Sequence, residues 1–62
     1  MNSSGSKYRE QIGAKLRSHR LKLFLSIDDI IFMTEISKSS VLKVEKGIAK
    51  DIDLYIEYAK AV

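Results

Sequence analysis

The stretch Ser26-Ile-Asp-Asp-Ile-Ile-Phe-Met-Thr-Glu-Ile-Ser-Lys-Ser-Ser-Val-Leu-Lys-Val-Glu-Lys-Gly47 decides how the rest of the chain is read. Two short helical patterns flank Glu35-Ile36-Ser37, leaving a turn of about three residues. Ser26 is placed to cap the first pattern, with Asp29 three residues on as a near capping box. Ser37 can cap the second, and Gly47 stands where a helix needs a left-handed stop. A helix, a tight turn and a second helix bearing lysines make the layout of a helix-turn-helix, whose second helix enters a DNA groove.

Outward from that stretch, the spacing predicts one helix before it and one after. The first covers about 7–23. Ile12, Leu16 and Leu23 share one face at helical period, with Arg9, Gly13 and Arg20 along its edge. Leu21 falls off that face. Leu25 anchors the connection, and the second helix spans roughly 27–34 with Ile30 inward. Asp28 and Asp29 suit the positive end of its dipole; as adjacent helical residues they do not converge as a catalytic pair. Ile36 fills the turn. In the third helix, about 38–46, Val41 and Val44 keep the spacing of a buried face, and Ile48 continues it. Its other face carries Lys38, Ser39, Leu42, Lys43 and Lys46, side chains suited to guanine edges and phosphates. Asp51 can cap a fourth helix, where Ile52, Tyr55, Ile56, Ala59 and Val62 form one apolar stripe. Leu54, Tyr58 and Ala61 form a second, so this helix expects more than one neighbour. Residues 1–6 are small and polar and are expected to form a disordered arm, leaving 7–62 as one domain.

Composition narrows the function. A chain of 62 residues makes one small domain, which buries only about 60% of its unfolded surface. With no cysteine, the core has to come from packed helices rather than disulfides or thiolate metal sites. No apolar run approaches the ~20 residues of a membrane span, and a cytoplasmic protein is the expectation. The formal charge is +3 and is unevenly spread. Residues 7–23 carry six basic side chains against Glu10, residues 24–36 carry Asp28, Asp29 and Glu35 with no base, and residues 37–50 carry four lysines against Glu45. Alternating segments of this kind give one positive face. His19, the only histidine, has no cysteine or second histidine to work with, so local hydrogen bonding is the better account of it than catalysis. No metal-ligand cluster, phosphate loop or nucleophile–base set is present. An enzyme, a cofactor, a metal and a small-molecule substrate are therefore not expected.

The residues resemble the lambda-repressor-like, or XRE-type, helix-turn-helix family of phage repressors, Cro proteins and small bacterial regulators. The resemblance runs from about Ile12 to Val62. It is carried by Ile12-Gly13, Leu16-Arg17, Arg20, Leu25-Ser26, Ile36-Ser37-Lys38-Ser39-Ser40-Val41 and Val44-Glu45-Lys46-Gly47. The closing Tyr58-Ala59-Lys60-Ala61-Val62 is similar to a helix end common in that family. The resemblance implies an all-α, compact bundle of four or five helices that binds double-stranded DNA as a small transcriptional regulator. By position, Lys38, Ser39 and Lys43 match base-contacting places, and Ser26, Lys46, Lys50 and Arg17 match phosphate-contacting places. Arg20 and Glu45 match an ion pair joining the first helix to the third. Members usually bind as symmetric dimers, so a homodimer, at least on DNA, is the expectation. Leu54, Tyr58 and Ala61 are its candidate surface, with Phe32 and Met33 as a second apolar set. Ile27 replaces a frequent glutamine, Ile31 a usual alanine, and Phe24 and Glu35 stand where glycine is common, so both turns are expected to carry strain. The missing glutamine and the apolar Phe32-Met33 favour an alternative on the same fold, a protein-interaction module such as an antitoxin subunit or partner-binding domain.

Overall fold

Helix ends set this architecture, because three of the four helices stop on a residue in the left-handed region. A computed structural model describes residues 3–62 and contains four helices and no strand among them. They are α1 (Ser3–Lys22), α2 (Ile27–Thr34), α3 (Lys38–Lys46) and α4 (Ile52–Ala61). Met1 and Asn2 of the expected arm lie outside the described residues, and α1 starts at Ser3 rather than near Lys7.

The N-termini of α2, α3 and α4 are capped as the sequence suggests. Ser26 Oγ accepts from Asp29 N at 3.0 Å while Ser26 N donates to Asp29 Oδ2 at 2.8 Å, a complete capping box. Ser37 caps α3 by accepting from Ser40 N, and Asp51 caps α4 by accepting from Asp53 N. At the other ends, Leu25 N reaches Arg20 O and Phe24 N reaches Leu21 O, a Schellman closure with Phe24 at its left-handed position. Gly47 closes α3 in the same way, with Ile48 N on Lys43 O and Gly47 N on Val44 O. Glu35 N on Ile31 O closes α2.

Of these three positions only Gly47, at φ 76°, holds the residue that adopts it freely; Phe24 has φ 59° and Glu35 φ 62°. Each such conformation costs a non-glycine residue roughly 1–2 kcal/mol. Phe24 is 95% exposed and loses no packing on truncation. Phe24→Gly is therefore expected to stabilise the domain by about 0.5–1 kcal/mol after the added unfolded-state entropy of glycine. That corresponds to a rise in Tm of about 2–8 °C in a domain of this size, read by a thermal melt. A lower Tm would mean that the phenyl ring contributes something the turn needs.

The core holds Leu16, Ile30, Ile36, Val41, Val44, Ala49, Tyr55 and Tyr58, with Leu25, Ile27, Ile31, Leu54, Ala61 and Val62 packed around it. Both α1 and α2 pack against α3 and α4 and not against each other. The long dimension, 36 Å of 36 × 21 × 16 Å, reflects a 20-residue α1 that rises about 30 Å.

The inward faces of α2 and α3 agree with the spacing, whereas those of α1 and α4 are rotated from it. Ile12 and Leu23 are exposed, and the buried line of α1 is Gly13, Leu16 and Arg20. The reason is contact distance: α1 meets α3 where it has no side chain, at Gly13, rather than where its apolar residues are most numerous. Ile48 is exposed and Ala49 is buried in its place, because the reversal at Gly47 ends the helical period. On α4 the buried side is Tyr55 and Tyr58 with Leu54, Ala61 and Val62 alongside, leaving Ile52 and Ile56 outside.

Candidate nucleic-acid interface

The third helix divides cleanly into two faces. Val41 and Val44 are fully buried, and Lys38, Ser39, Leu42, Lys43 and Lys46 are exposed on the opposite side. Lys50 is exposed in the connection to α4. None of these four lysines is in an ion pair among the described residues, so their charges are available to an external anion. Ser40, Lys43 and Lys50 line one open cleft of about 330 Å³ together with Ile48, Ala49, Asp51 and Leu54. Arg17 stands at the edge of this surface, with Nε 3.8 Å from Glu45 Oε1 and its side chain mostly in solvent.

One of the expected contacts changes. Ser26 is exposed; its Oγ accepts from Asp29 N and its backbone N–H donates to the Asp29 carboxylate, which leaves the hydroxyl proton as its donor toward a phosphate. Tyr58 leaves the candidate partner surface: it is 0% exposed and its hydroxyl donates to Glu45 Oε2. Leu54 and Ala61 are half-buried against the core beside it. Phe32 and Met33 do lie on the surface, Phe32 at 86% exposure. His19, for which local hydrogen bonding was expected, is exposed.

What fixes the orientation of α3 is Glu45. Arg20 Nε donates to Glu45 Oε2 at 2.7 Å and Nη2 to Oε1 at 3.4 Å, with both side chains less than a tenth exposed. Arg20 Nη1 also donates to Leu25 O at 2.9 Å, which ties the α1–α2 turn to the same guanidinium. One carboxylate thus binds α1 through Arg20 and α4 through Tyr58. The hydrogen bond to Glu45 raises the Arg20 guanidinium above its ordinary value against the opposing effect of burial, so the guanidinium stays charged at any working pH. The Arg20–Glu45 pair is the one the resemblance implies; the Tyr58 arm was not expected. Its signal was the i, i+3 pair Tyr55 and Tyr58 on a helix with two apolar stripes, since a buried phenol has to find an acceptor. Tyr55 finds one in Ala49 O, at 2.7 Å.

Burial first, and then the hydrogen bond and charge of Glu45, push the Tyr58 phenol far above its ordinary value, with Arg20 acting in the other direction. Burial also raises Tyr55. A phenol whose folded pKa lies above its unfolded value contributes stability that is complete below about pH 10 and is lost as pH rises further. Urea midpoints are expected to fall steeply above about pH 10, and Tyr58→Phe is expected to flatten that fall. An unchanged alkaline limb in Tyr58→Phe would show that the phenol is not what titrates.

No helix among the described residues is long and apolar enough to cross a membrane. Comparison with protein-family models, with curated proteins and with solved structures finds no match.

Proposed function

We propose that this chain binds double-stranded DNA as a small transcriptional regulator, with the outward face of α3 in the major groove. The observation that carries this reading is the exposed set Lys38, Ser39, Lys43 and Lys46, its lysines in no ion pair among the described residues, on one face of a helix whose other face is buried. Lys38 and Ser39 stand at the start of α3 and are assigned to base edges, with Lys43 one turn further on. Lys46, Lys50 and Arg17 are assigned to phosphates on either side. The three-residue turn between α2 and α3 and the resemblance to repressor-like regulators support the same reading.

A polarisation titration with mixed duplex DNA at several salt concentrations tests it. Three to five cations on phosphates give a log–log salt slope of roughly −3 to −4.5 per copy. Lys46→Ala is expected to weaken binding to every sequence and to flatten the slope by about one unit. Lys38→Ala is expected to relax preference at one base pair, at a cost of about 1–3 kcal/mol there. Equal losses for both variants on all sequences would remove Lys38 from base reading, and no binding at low salt would overturn the proposal.

The second reading, a protein-interaction module, is favoured by exposed Phe32 and Met33 on α2. It gains if duplex binding is absent while the fold is intact.

A further inference from the structure

We propose that copies of this chain associate head to tail, the acidic, apolar outer face of α2 in one copy seating on an exposed basic, apolar stripe of α1 in the next. The two halves are both present on every copy. On α2 the outward residues are Asp28, Asp29, Phe32 and Met33, and no basic residue occurs anywhere from Phe24 to Ser37. On α1, Tyr8, Ile12, Lys15, His19 and Lys22 follow one another at spacings of four, three, four and three, and all five are exposed. At about 100° per residue these five occupy a single stripe, on the other side of the buried Gly13–Leu16–Arg20 line from Arg17. The stripe therefore points away from the surface assigned to DNA.

Charge selects which faces meet. Two α2 faces brought together would oppose carboxylates to carboxylates, and two α1 stripes would oppose lysines to lysines. Only the crossed pairing puts lysines of the α1 stripe against Asp28 and Asp29 while covering Phe32. The pairing cannot be made within one copy, since α1 and α2 do not pack against each other. Joined head to tail, a pair leaves one unlike face free at each end and continues into a ring or an open chain. Two short helix faces cover less than a standard interface, so the association is weak and salt-sensitive. If the DNA-binding reading also holds, copies related in this way suit direct repeats rather than inverted ones. The contact itself is measured without DNA, so its failure and the failure of that reading are separate results.

Sedimentation equilibrium of the full chain is the test. At low salt, about 50 mM, the wild-type mass is expected to rise with concentration beyond that of two chains, and raising the salt to about 500 mM should weaken association about tenfold. Phe32→Glu removes one half and Tyr8→Glu with Lys15→Glu removes the other. Each variant alone should stay at the 7.0 kDa monomer mass. An equimolar mixture should form a two-chain species and nothing larger, because one intact half remains on each partner. Circular dichroism checks folding; Met33→Glu and Lys15→Glu with Lys22→Glu replace any variant that fails it. A wild type that is monomeric at about 1 mM in low salt would overturn the proposal. So would a self-associating wild type whose two variants do not rescue each other on mixing, which would instead indicate pairing of like faces or a different surface.

Discussion

Gly13→Ala is expected to cost most of the stability of this domain. A Cβ at residue 13 would lie 2.2 Å from Val44 O and 2.9 Å from Glu45 O, so the obstacles are backbone atoms of α3 that no rotamer change can move. Helix propensity alone argues the reverse, favouring alanine by about 1 kcal/mol within α1. Steric exclusion wins, because α1 has to withdraw from α3 at the point where their backbones touch. Overpacking typically costs 1–3 kcal/mol and more when the backbone is the obstacle. Set against a total of roughly 3–9 kcal/mol for a domain of this length, a loss of about 3 kcal/mol or more leaves little margin. A Tm at least about 12 °C lower, or loss of the cooperative helix signal, is the expected result. A Tm above the wild type would show that the two helices do not cross this closely.

Glu45→Ala is expected to be comparably severe, for an electrostatic reason. It leaves Arg20, 7% exposed, as a buried cation without its carboxylate, and leaves the Tyr58 hydroxyl without its acceptor. Breaking a buried pair costs about 3–5 kcal/mol, and an orphaned buried hydroxyl adds about 1–3 kcal/mol. Glu45→Gln keeps an oxygen for Tyr58 and is expected to fall between the alanine variant and wild type. Arg20→Ala should cost less than Glu45→Ala, since the carboxylate it abandons still has the phenol and, 3.8 Å away, Arg17. Denaturant melts over the Arg20/Glu45 cycle should give a coupling energy of about 2–3 kcal/mol. A coupling energy of zero would show that the two side chains act independently.

The parts of the molecule that were legible in advance are those governed by local chemistry. Ser26–Asp29, Ser37, Asp51 and Gly47 declare themselves because a helix terminus leaves backbone groups that only a few side chains satisfy. Val41 and Val44 against Lys38, Lys43 and Lys46 separate by period alone. The positive φ at Phe24 and Glu35 agrees with an expectation that rests on the resemblance, in which glycine is common at both places. The rotation of α1 was not, because its packing is decided by an absent side chain at Gly13 and by a charged one at Arg20, neither of which counts toward an apolar stripe. Tyr58 was misplaced on the surface for a related reason. Whether a tyrosine ends inside depends on an acceptor thirteen residues away in sequence; the Tyr55 and Tyr58 pair on α4 signals that an acceptor is needed, and not which residue supplies it. The lysine surface itself was read correctly as exposed, since exposure follows from the burial of the opposite face.

That division of α3 has a consequence for how such a protein can change. The residues that hold the helix, Val41, Val44 and Glu45, share no side chain with those that face outward, Lys38, Ser39, Leu42, Lys43 and Lys46. The three lysines can be rewritten, one letter or several at a time, without emptying a core position or breaking an ion pair among the described residues, whereas Leu42 is more than half covered and Ser39 touches the Ser37 cap. A lineage built on this scaffold is free to vary these three letters through intermediates that all remain foldable, and the same property makes the three positions the place to randomise in a selection experiment.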